Sequence, residues 1–353
     1  MHHSQGSSIA VRPRQAGLTL VELMISMAIG LILVAGIATL IARQSSTRAE
    51  LEKSSRQIEN GRYALTLLQE DIQHAGFYGY YSGALPALTA LPDPCSTSAV
   101  DIDAALAMPL QGYDSPAAVP APLSACLSDA NHIAGTDILV VRRLEATDTL
   151  PTIATLVAGQ VYVQTTPSAK VTALGPDPTP ATPSVYTLKQ KDAVTAAPLR
   201  RFIQHVYFLS PCNVYASGAT NCTSAADNGR PIPTLKRLEM SVTAGAPTLI
   251  TVPLVEGIEN LQFDYGIDAG GATGDGTPAT PYVAAPTIAN WPDVMSIQVN
   301  LLARNTEPSG GYDGSTKVYN MGVAGTVGPF SDAYKRHVYS ANVRAVNPSG
   351  RRE

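Results

Sequence analysis

Apolar residues are concentrated in one long stretch near the start of the chain. Between Leu18 and Ile41, 18 of 24 residues are Ala, Val, Ile, Leu or Met, and Glu22 is the only charged residue. As a helix this stretch would be about 36 Å long, enough to cross the roughly 30 Å hydrocarbon layer of a bilayer. The pattern predicts a transmembrane helix. Because an ionised group is costly in lipid, we expect Glu22 to have a function and a partner.

Helical periodicity continues beyond this stretch. No proline occurs between Pro13 and Pro86. Apolar residues recur every seven positions, with Leu68 in addition, at Leu51, Ile58, Leu65 and Ile72. We predict one helix over residues 18–75, with a membrane part at 18–41 and a stalk at 42–75 whose apolar stripe is buried under a head. Asn60-Gly61 is its expected weak point, because glycine costs about 1 kcal/mol in a helix interior.

The rest of the chain has the pattern of loops and strands. Residues 76–134 are rich in Pro, Ala, Ser and Thr and are predicted to form loops, and residues 135–353 to form a β-rich head. The predicted strands are Asp137–Leu144, Gln160–Thr165, Arg201–Leu209, Leu235–Val242, Leu249–Val255, Ile258–Ile267, Val294–Leu302 and His337–Val346. The gaps between successive strands predict mainly antiparallel pairing. The predicted fold class is α+β, a long N-terminal helix followed by a mainly antiparallel β-rich head.

One predicted strand alternates clearly between apolar and polar residues. Met295, Ile297, Val299 and Leu301 are separated by Ser296, Gln298 and Asn300. Since successive side chains of a strand point to opposite faces, we expect one face of this strand to be buried and the other to be wet.

Composition and charge exclude several classes of function. Charged residues make up 15% of the chain and the net charge is −4, so no basic field favours a nucleic-acid partner. The sequence lacks H-E-x-x-H, G-x-S-x-G and Walker motifs, and its histidines have no metal-ligand spacing. We therefore expect no enzyme, cofactor or metal site. Asp268 and Asp275 lie in a Gly-rich loop without calcium-motif spacing, which favours solvated turn residues over a calcium site.

All four cysteines follow the apolar stretch. They are Cys95, Cys126, Cys212 and Cys222. Four cysteines can pair in three ways, and proximity in the sequence favours Cys95 with Cys126 and Cys212 with Cys222, while four buried thiols remain an alternative. An even number of cysteines on one side of a membrane is typical of an oxidising compartment such as the periplasm.

The start of the chain carries a family resemblance. A polar leader, residues 1–17, contains Arg12 and Arg14 and no acid, and the segment from Gly17 to Ile25 resembles the class III signal of type IV prepilins and pseudopilins. The resemblance implies that a prepilin peptidase cleaves between Gly17 and Leu18 and N-methylates Leu18. It also places Glu22 at the acidic position through which subunits assemble.

Segments of the head resemble PilW-type minor pilins. They begin at Gly135, Val255 and Trp291 and end with the strand Arg336–Arg344, while Pro167–Pro183 and Ala269–Pro286 are interpreted as insertions. The resemblance implies a minor pilin in the inner membrane with a periplasmic C-terminal head, which primes a type IV pilus and joins a tip complex. Its implied partners are prepilin peptidase, other minor pilins, the major pilin, a tip adhesin and inner-membrane lipid.

Three alternatives remain at this point. The first is a minor pseudopilin of a type II secretion system, whose signal is nearly identical. The second is a signal-anchored periplasmic enzyme or binding protein. The third concerns the signal alone, since Gly36-Ile37-Ala38 would also serve an ordinary secretory signal, although the apolar run is longer than the usual 7 to 15 residues or so.

The signal makes a direct prediction about the mature chain. Its N-terminus should be Leu18 when the protein is purified from its host and analysed by mass spectrometry of the N-terminal peptide. An N-terminus after Ala38 would indicate a secretory signal instead, and one upstream of Leu18 would contradict processing at Gly17.

Overall fold

The computed structural model describes residues 17–147, 156–175 and 185–352. Residues 1–16 of the predicted leader and residues 176–183 of the first predicted insertion lie outside the described residues. Contacts divide the chain into two compact units, Met1–Glu52 and Lys53–Glu353. Each unit is described by itself.

The predicted long helix is confirmed. Helix α1 comprises Leu20–His74, 55 residues, and continues without a break through Asn60 and Gly61. Gly61 is required by close packing, because a Cβ atom there would lie 2.2 Å from Cε2 of Tyr339. Gly61, the expected weak point, therefore stays helical, and its missing side chain lets the Tyr339 ring pack directly on the backbone of α1.

The buried face of α1 differs from the predicted stripe. Its buried residues are Gln57, Gly61, Ala64, Leu68, Asp71 and Ile72. Ile58 is 42% exposed and Leu51 is 65% exposed, so these two positions were wrongly assigned to the core. Positions seven apart drift by about 20° per heptad around a straight helix. The buried face is offset from the predicted stripe, since Gln57, Ala64 and Asp71 each lie one position before Ile58, Leu65 and Ile72.

Seven strands form the first sheet within the described residues. They are β1 (Leu110–Tyr113), β2 (Ile138–Leu144), β3 (Val161–Thr165), β4 (Lys170–Leu174), β5 (Leu199–Ser210), β6 (Thr234–Thr243) and β7 (Ala246–Glu256). Strand β5 is central, because β2, β3 and β6 all pair with it in antiparallel register. Strands β1, β4 and β7 lie outside them and pair with β2, β3 and β6 respectively.

Three strands form the second sheet. They are β8 (Ile258–Ile267), β9 (Val294–Arg304) and β12 (Arg336–Arg344), in the order β12-β9-β8 and antiparallel throughout. Strands β10 (Tyr319–Asn320) and β11 (Thr326–Val327) form a separate two-stranded pair. All eight predicted strands are therefore present. The last predicted residue of the final strand, Val346, instead begins helix α4 (Val346–Gly350).

Short elements occupy segments that were predicted as loops or insertions. Helix α2 (Ala99–Ala105) and β1 lie within residues 76–134, and β4 lies within the first predicted insertion. The turn α3 (Ala226–Gly229) follows the cysteines at 212 and 222. The short 3-10 helices are Leu123–Ala125, Asp129–Asn131, Gly271–Thr273, Ile288–Asp293 and Gly322–Ala324.

The main core lies where α1 and the two sheets meet. Helix α1 contributes Ala64, Leu68 and Ile72, each fully buried. The first sheet contributes residues such as Leu139 and Leu235, and the second contributes residues such as Phe263 and Val299. Small and branched side chains on α1 let the helix approach both sheets closely, which is how the interior reaches the density of a close-packed solid.

The polar side of β9 is not wet, so that expectation was wrong. Ser296 is 4% exposed and Asn300 is 2% exposed. The Ser296 hydroxyl is 2.7 Å from the Tyr282 hydroxyl, and Asn300 donates to Asp264 (3.1 Å) and accepts from Ser340 (2.7 Å). Hydrogen bonds between side chains thus replace water on this face, as burial of polar groups requires.

The shifted helix face leads to a prediction about stability. Leu68→Ala should lower the free energy of unfolding by about 2 to 5 kcal/mol, because it leaves a cavity between α1 and the sheets. Ile58→Ala is the matched control and should cost less than about 1 kcal/mol, since Ile58 is largely exposed. Urea unfolding of the full chain in detergent can be followed by the fluorescence of Trp291, the single tryptophan of the sequence. Equal losses for the two variants would contradict the observed face.

Candidate functional site

The bond between Gly17 and Leu18 lies just before helix α1. Residues 17–19 have no regular secondary structure, α1 begins at Leu20, and Leu18 is 76% exposed. An exposed segment outside a helix can enter a protease active site without the helix unwinding. The geometry therefore fits a cleavage site at this bond.

Thr19 and Glu22 form a reciprocal capping box at the start of α1. The Thr19 hydroxyl oxygen accepts a hydrogen bond from the Glu22 N–H (3.2 Å). Glu22 Oε2 accepts from the Thr19 N–H (3.0 Å) and from the Thr19 hydroxyl (2.9 Å). The first N–H groups of a helix have no partner within the helix, and a capping box satisfies two of them. A carboxylate in the first turn also interacts favourably with the helix dipole.

The capping box contains no residue before Thr19. Cleavage between Gly17 and Leu18 would therefore leave it intact and would place a new α-amino group next to it. An ionised carboxylate offers about four acceptor positions, so Glu22 can accept a further donor while Thr19 holds its orientation. The segment can thus present an amine on Leu18 and a fixed carboxylate on Glu22, four residues apart.

The helix that follows this segment is apolar and exposed. Among the described residues, α1 is the helix long and apolar enough to cross a membrane, with a window of mean hydropathy 2.5 and none of that window buried. Leu31 and Ile32, for example, are each 71% exposed. This surface is consistent with a membrane anchor, because such a length of apolar helix needs lipid or another protein around it.

A buried carboxylate joins the last turn of α1 to the first sheet. Asp71 is 5% exposed and accepts hydrogen bonds from Arg143 Nε (2.7 Å), His205 (2.6 Å) and the Tyr207 hydroxyl (2.9 Å). Burial alone would raise the pKa of Asp71, but the bonds and charges of His205 and Arg143 outweigh it and hold this pKa well below its usual range. Strands β2 and β5 therefore hold the helix through one ionised group.

Two further side chains of α1 bind the backbone of the head. Gln57 Nε2 donates to the carbonyl oxygens of Ala303 (2.8 Å) and Lys335 (3.0 Å). Asn60 Nδ2 donates to the carbonyl oxygen of Glu256 (3.1 Å). These bonds fix both the rotation and the register of α1 against the strands, because amide groups at defined positions must meet defined carbonyls.

The C-terminal segment covers the end of α1. Asn347 Nδ2 donates to the carbonyl oxygen of Ala75 (3.1 Å), and Arg351 donates to that of Gly76 (2.5 Å). The Arg351 guanidinium also lies 5.0 Å from the centroid of the Tyr78 ring. The last carbonyls of a helix lack partners within the helix. At the C-terminal end of α1, donors from the far end of the chain bind the carbonyl oxygens that follow the helix.

The head motifs noted in the sequence connect the two sheets. Asp137, at the start of β2, accepts hydrogen bonds from the N–H groups of Ser115 (2.8 Å) and Phe263 (2.7 Å). Burial raises the pKa of Asp137 to about 7, against the lowering effect of these two N–H groups. Trp291 packs edge-on against Tyr265, with ring centroids 4.8 Å apart. Asp137, Tyr265 and Trp291 are buried, and their contacts stabilise the packing of the two sheets.

Two disulfides are present. They join Cys95 to Cys126 and Cys212 to Cys222, each with Cα atoms 5.6 Å apart. This is the pairing that proximity in the sequence favours. The first disulfide closes the segment before β2, and the second closes the connection between β5 and β6.

The Gly-rich loop near Asp268 is held by hydrogen bonds within the chain. Asp268 is 4% exposed and accepts from the N–H groups of Gly270 (2.9 Å) and Gly276 (2.8 Å) and from Arg352 (3.3 Å). Asp275 accepts from the N–H of Thr277 (2.9 Å). Asp268 is thus buried and paired rather than solvated. No group of metal-ligating side chains occurs in the part of the chain that the structure describes.

Sequence reasoning missed Asp71 and its partners. The available signal was the position of Asp71, three residues after Leu68 and seven after Ala64, which places a carboxylate on the buried face of α1. Because the predicted buried stripe lay one position further along α1, Asp71 was not recognised as a buried residue. His205 and Arg143 carry no comparable pattern, because strand neighbours are brought to a helix only by the tertiary fold.

Comparison with known families gives two matches. The family model described as type IV pilus-assembly protein W matches residues 220–347, which include the second sheet. The prokaryotic N-terminal methylation motif matches residues 12–38, which include Gly17, Leu18 and Glu22. No curated protein and no solved structure gives a significant match. The two matches therefore fall on the N-terminal segment that contains the candidate cleavage bond and on the C-terminal part of the head.

The Asp71 network leads to a prediction. Asp71→Asn should destabilise the full chain by about 3 to 5 kcal/mol at pH 7, because Arg143 loses its buried anion. Glu70→Gln, an exposed neighbour, is the matched control and should change stability by no more than about 0.5 kcal/mol. Urea unfolding at several pH values is the measurement.

The pH dependence has a defined sign. The folded-state pKa of Asp71 is lowered, so its contribution is complete above the unfolded-state pKa of about 3.9 and is lost as the pH falls below that value. The difference between the wild type and Asp71→Asn should therefore be constant near neutral pH and shrink below about pH 4. A difference that grows on acidification would contradict the ionised network.

Proposed function

We propose, from the matches to type IV pilus-assembly protein W over residues 220–347 and to the N-terminal methylation motif over residues 12–38, that the chain is a PilW-like minor pilin that prepilin peptidase cleaves between Gly17 and Leu18 and that primes pilus assembly within a tip complex. In this proposal the enzyme N-methylates Leu18, and the chain itself carries out no catalysis. The observation that carries the proposal is the Thr19–Glu22 capping box, which stands directly after the candidate cleavage bond and opens an exposed apolar helix.

The proposed assembly step is a charge pairing in lipid. Cleavage would create a cationic amine on Leu18, and methylation leaves such an amine able to carry its proton. An unpaired ion in a low-dielectric interior costs several kcal/mol or so, and a pair with good geometry costs much less. A subunit whose Leu18 amine meets the Glu22 carboxylate of its neighbour would therefore be favoured over one out of register. The capping box supports this step, since it holds the carboxylate at one place on the helix.

The proposed location follows from the anchor and the disulfides. We place the chain in the inner membrane as a single-pass protein, with its C-terminal head in the periplasm before assembly and in the pilus or its tip afterwards. The Cys95–Cys126 and Cys212–Cys222 disulfides support an oxidising compartment for the head. The proposed partners are other minor pilins, the major pilin, a tip adhesin and membrane lipid. Adhesion and twitching motility would depend on the protein through the pilus.

The decisive experiment separates helix capping from charge. Glu22→Gln should still be cleaved at Gly17 and should keep a capping box, because Gln also serves at this position. It should fail to enter sheared pili, since it cannot neutralise the amine of a neighbour. Thr19→Val is the matched control: it removes the hydroxyl but keeps the Glu22 charge and the backbone N–H of residue 19 that binds Glu22 Oε2, so it should retain incorporation. The measurements are the mature N-terminus and the amount of each variant in purified pili.

Two results would contradict the proposal. One is normal incorporation of Glu22→Gln. The other is a deletion strain that keeps its surface pili but loses protein secretion, which would favour the pseudopilin alternative. A metabolic defect with both pili and secretion intact would instead favour an anchored periplasmic enzyme or binding protein.

A further inference from the structure

Strand β7 forms an open edge of the first sheet. It pairs with β6 along one side, and in the described part of the chain no backbone hydrogen bond or bridge joins residues 247–253 to any other strand. Ile250 is 41% exposed, and Thr251 and Pro253 are exposed as well. An exposed strand edge offers unpaired N–H and C=O groups to which another strand can bind. We refer to residues 247–253 as the β7 edge.

The hairpin turn determines which residues of β7 point outward. Strands β6 and β7 are joined by Ala244 and Gly245, which have φ angles of 52° and 79°, as in a type I′ turn. Thr243 and Ala246 flank this turn as partners, and the residues that flank a two-residue turn form a hydrogen-bonded pair. Hydrogen-bonded and non-hydrogen-bonded pairs alternate along an antiparallel ladder. The backbone groups of every second residue from 247 to 253 therefore point away from β6.

Two prolines limit the edge to a short segment. Pro247 and Pro253 both occupy outward-pointing positions, and proline has no N–H to donate. The outward donors of the edge are therefore the N–H groups of Leu249 and Thr251. Proline on an edge strand restricts pairing with other chains. The two prolines leave a central segment that can pair and end the ladder on both sides of it.

Other outer strands of the two sheets have neighbours. Strand β4 contacts α2, where the Thr172 hydroxyl donates to Asp103 (2.6 Å). Strand β8 is bridged by Val283, and β12 lies beside α1, where Tyr339 packs on Gly61. Strand β1 is mostly buried. The β7 edge differs from these strands because it is exposed and because prolines delimit the part that can pair.

The β7 edge is symmetric about Ile250. Pro247 and Pro253 each lie three residues from Ile250, and Leu249 and Thr251 each lie one residue from it. If two copies pair antiparallel with Ile250 opposite Ile250, Leu249 of each copy faces Thr251 of the other. Each such pair exchanges two hydrogen bonds, so four bonds use all four outward N–H groups. Each proline then lies opposite a proline, and no N–H is left without an acceptor.

The central side chain suits the same arrangement. Leu249 packs against an apolar cluster inside the head, and Ile250 points to the opposite, exposed face, since successive side chains of a strand alternate. In the pairing, Ile250 meets its own copy at a non-hydrogen-bonded position, where Cα atoms are about 4.5 Å apart. This contact removes apolar surface from water. An ion or a lipid headgroup would leave most of the outward backbone groups unpaired.

The tip of the hairpin is held in place before any partner binds. A Cβ atom at Gly159 would lie 2.3 Å from the carbonyl oxygen of Gly245, so the loop before β3 touches the backbone of the turn. The hairpin therefore needs little ordering when a partner pairs with it, which lowers the entropic cost of binding.

We propose that the β7 edge binds the β7 edge of a second copy of this chain, in an antiparallel two-fold pairing centred on Ile250. The dimer is closed, because β6 occupies the other side of each β7 and both copies use the same surface. The interface is small, so the dimer is weak and reversible. The proposal uses contacts of the head alone and does not depend on the proposed function.

Disulfide trapping of the full-length protein in detergent tests this pairing. Ile250→Cys should form a disulfide-linked dimer under mild oxidation with copper phenanthroline, because paired Cα atoms about 4.5 Å apart lie within the range of disulfides. The four native cysteines are already bonded, so the new thiol reacts alone. Val194→Cys, at a position that is 78% exposed, is the matched control. It should give about tenfold less dimer or lower still, since its thiols meet by collision alone.

A second pair of variants tests the backbone of β7. Thr251→Pro removes an outward N–H and no bond to β6, so the head should stay folded, which the thermal transition of Trp291 fluorescence verifies. Combined with Ile250→Cys, it removes two of the four intermolecular bonds and should lower the trapped fraction about tenfold or more. Thr251→Val keeps the N–H and should trap like Ile250→Cys alone.

A milder substitution keeps the backbone unchanged. Ile250→Lys replaces an exposed side chain and would place two ammonium groups face to face in the dimer, which is unfavourable between paired strands. Sedimentation of the full-length protein in detergent should therefore show a concentration-dependent dimer for the wild type and for Ile250→Val, and a monomer for Ile250→Lys.

Several outcomes would overturn the proposal. They include equal trapping of Ile250→Cys and Val194→Cys, and full trapping in the presence of Thr251→Pro. A dimer that Ile250→Lys leaves intact would assign self-association to another surface, such as the apolar part of α1. A photo-crosslinking amino acid at position 250 in intact cells should link two copies of this chain, as identified by mass spectrometry. Links to a different protein alone would assign the edge to a strand of that protein instead.

Discussion

The second half of helix α1 depends on being packed into the head by close contact and by one buried charge. Leu68 and Ile72 fill the space between the sheets, and Asp71 binds Arg143 and His205 from the first sheet. An ionised group is tolerated in an interior only where its hydrogen bonds are complete. The network therefore allows essentially one rotation of the helix, and Gln57 and Asn60 meet their carbonyls in that same rotation.

The first half of the same helix is not packed into the head. Its apolar side chains are exposed, and the carboxylate of Glu22 in its first turn accepts hydrogen bonds from Thr19. Such a surface is stable only in lipid or against other helices. The second half of α1 thus buries its apolar face against its own chain, whereas the first half has no such cover within its own chain. This division suits the proposed assembly subunit, since the buried half of α1 belongs to a rigid head and the exposed half remains available for contacts with lipid or other helices.

Charged side chains of the head, in contrast, have partners within the same chain. Several of its arginines are paired with carboxylates of the same chain, as in the contact of Arg143 with Asp71 and that of Arg336 with Asp332.

Local patterns in the sequence were sufficient for the helix, the eight principal strands and the N-terminal methylation motif. Hydrophobic length, alternation with period two and the Gly17–Glu22 motif are properties of neighbouring residues, so no tertiary information is needed to recognise them. Only the tertiary structure decided which face of α1 is buried, why Gly61 tolerates no side chain, and that Ser296 and Asn300 are covered. Each of these depends on a residue distant in the sequence, such as Tyr339 or Tyr282, whose position follows from how the sheets pack and not from the spacing of residues along the chain.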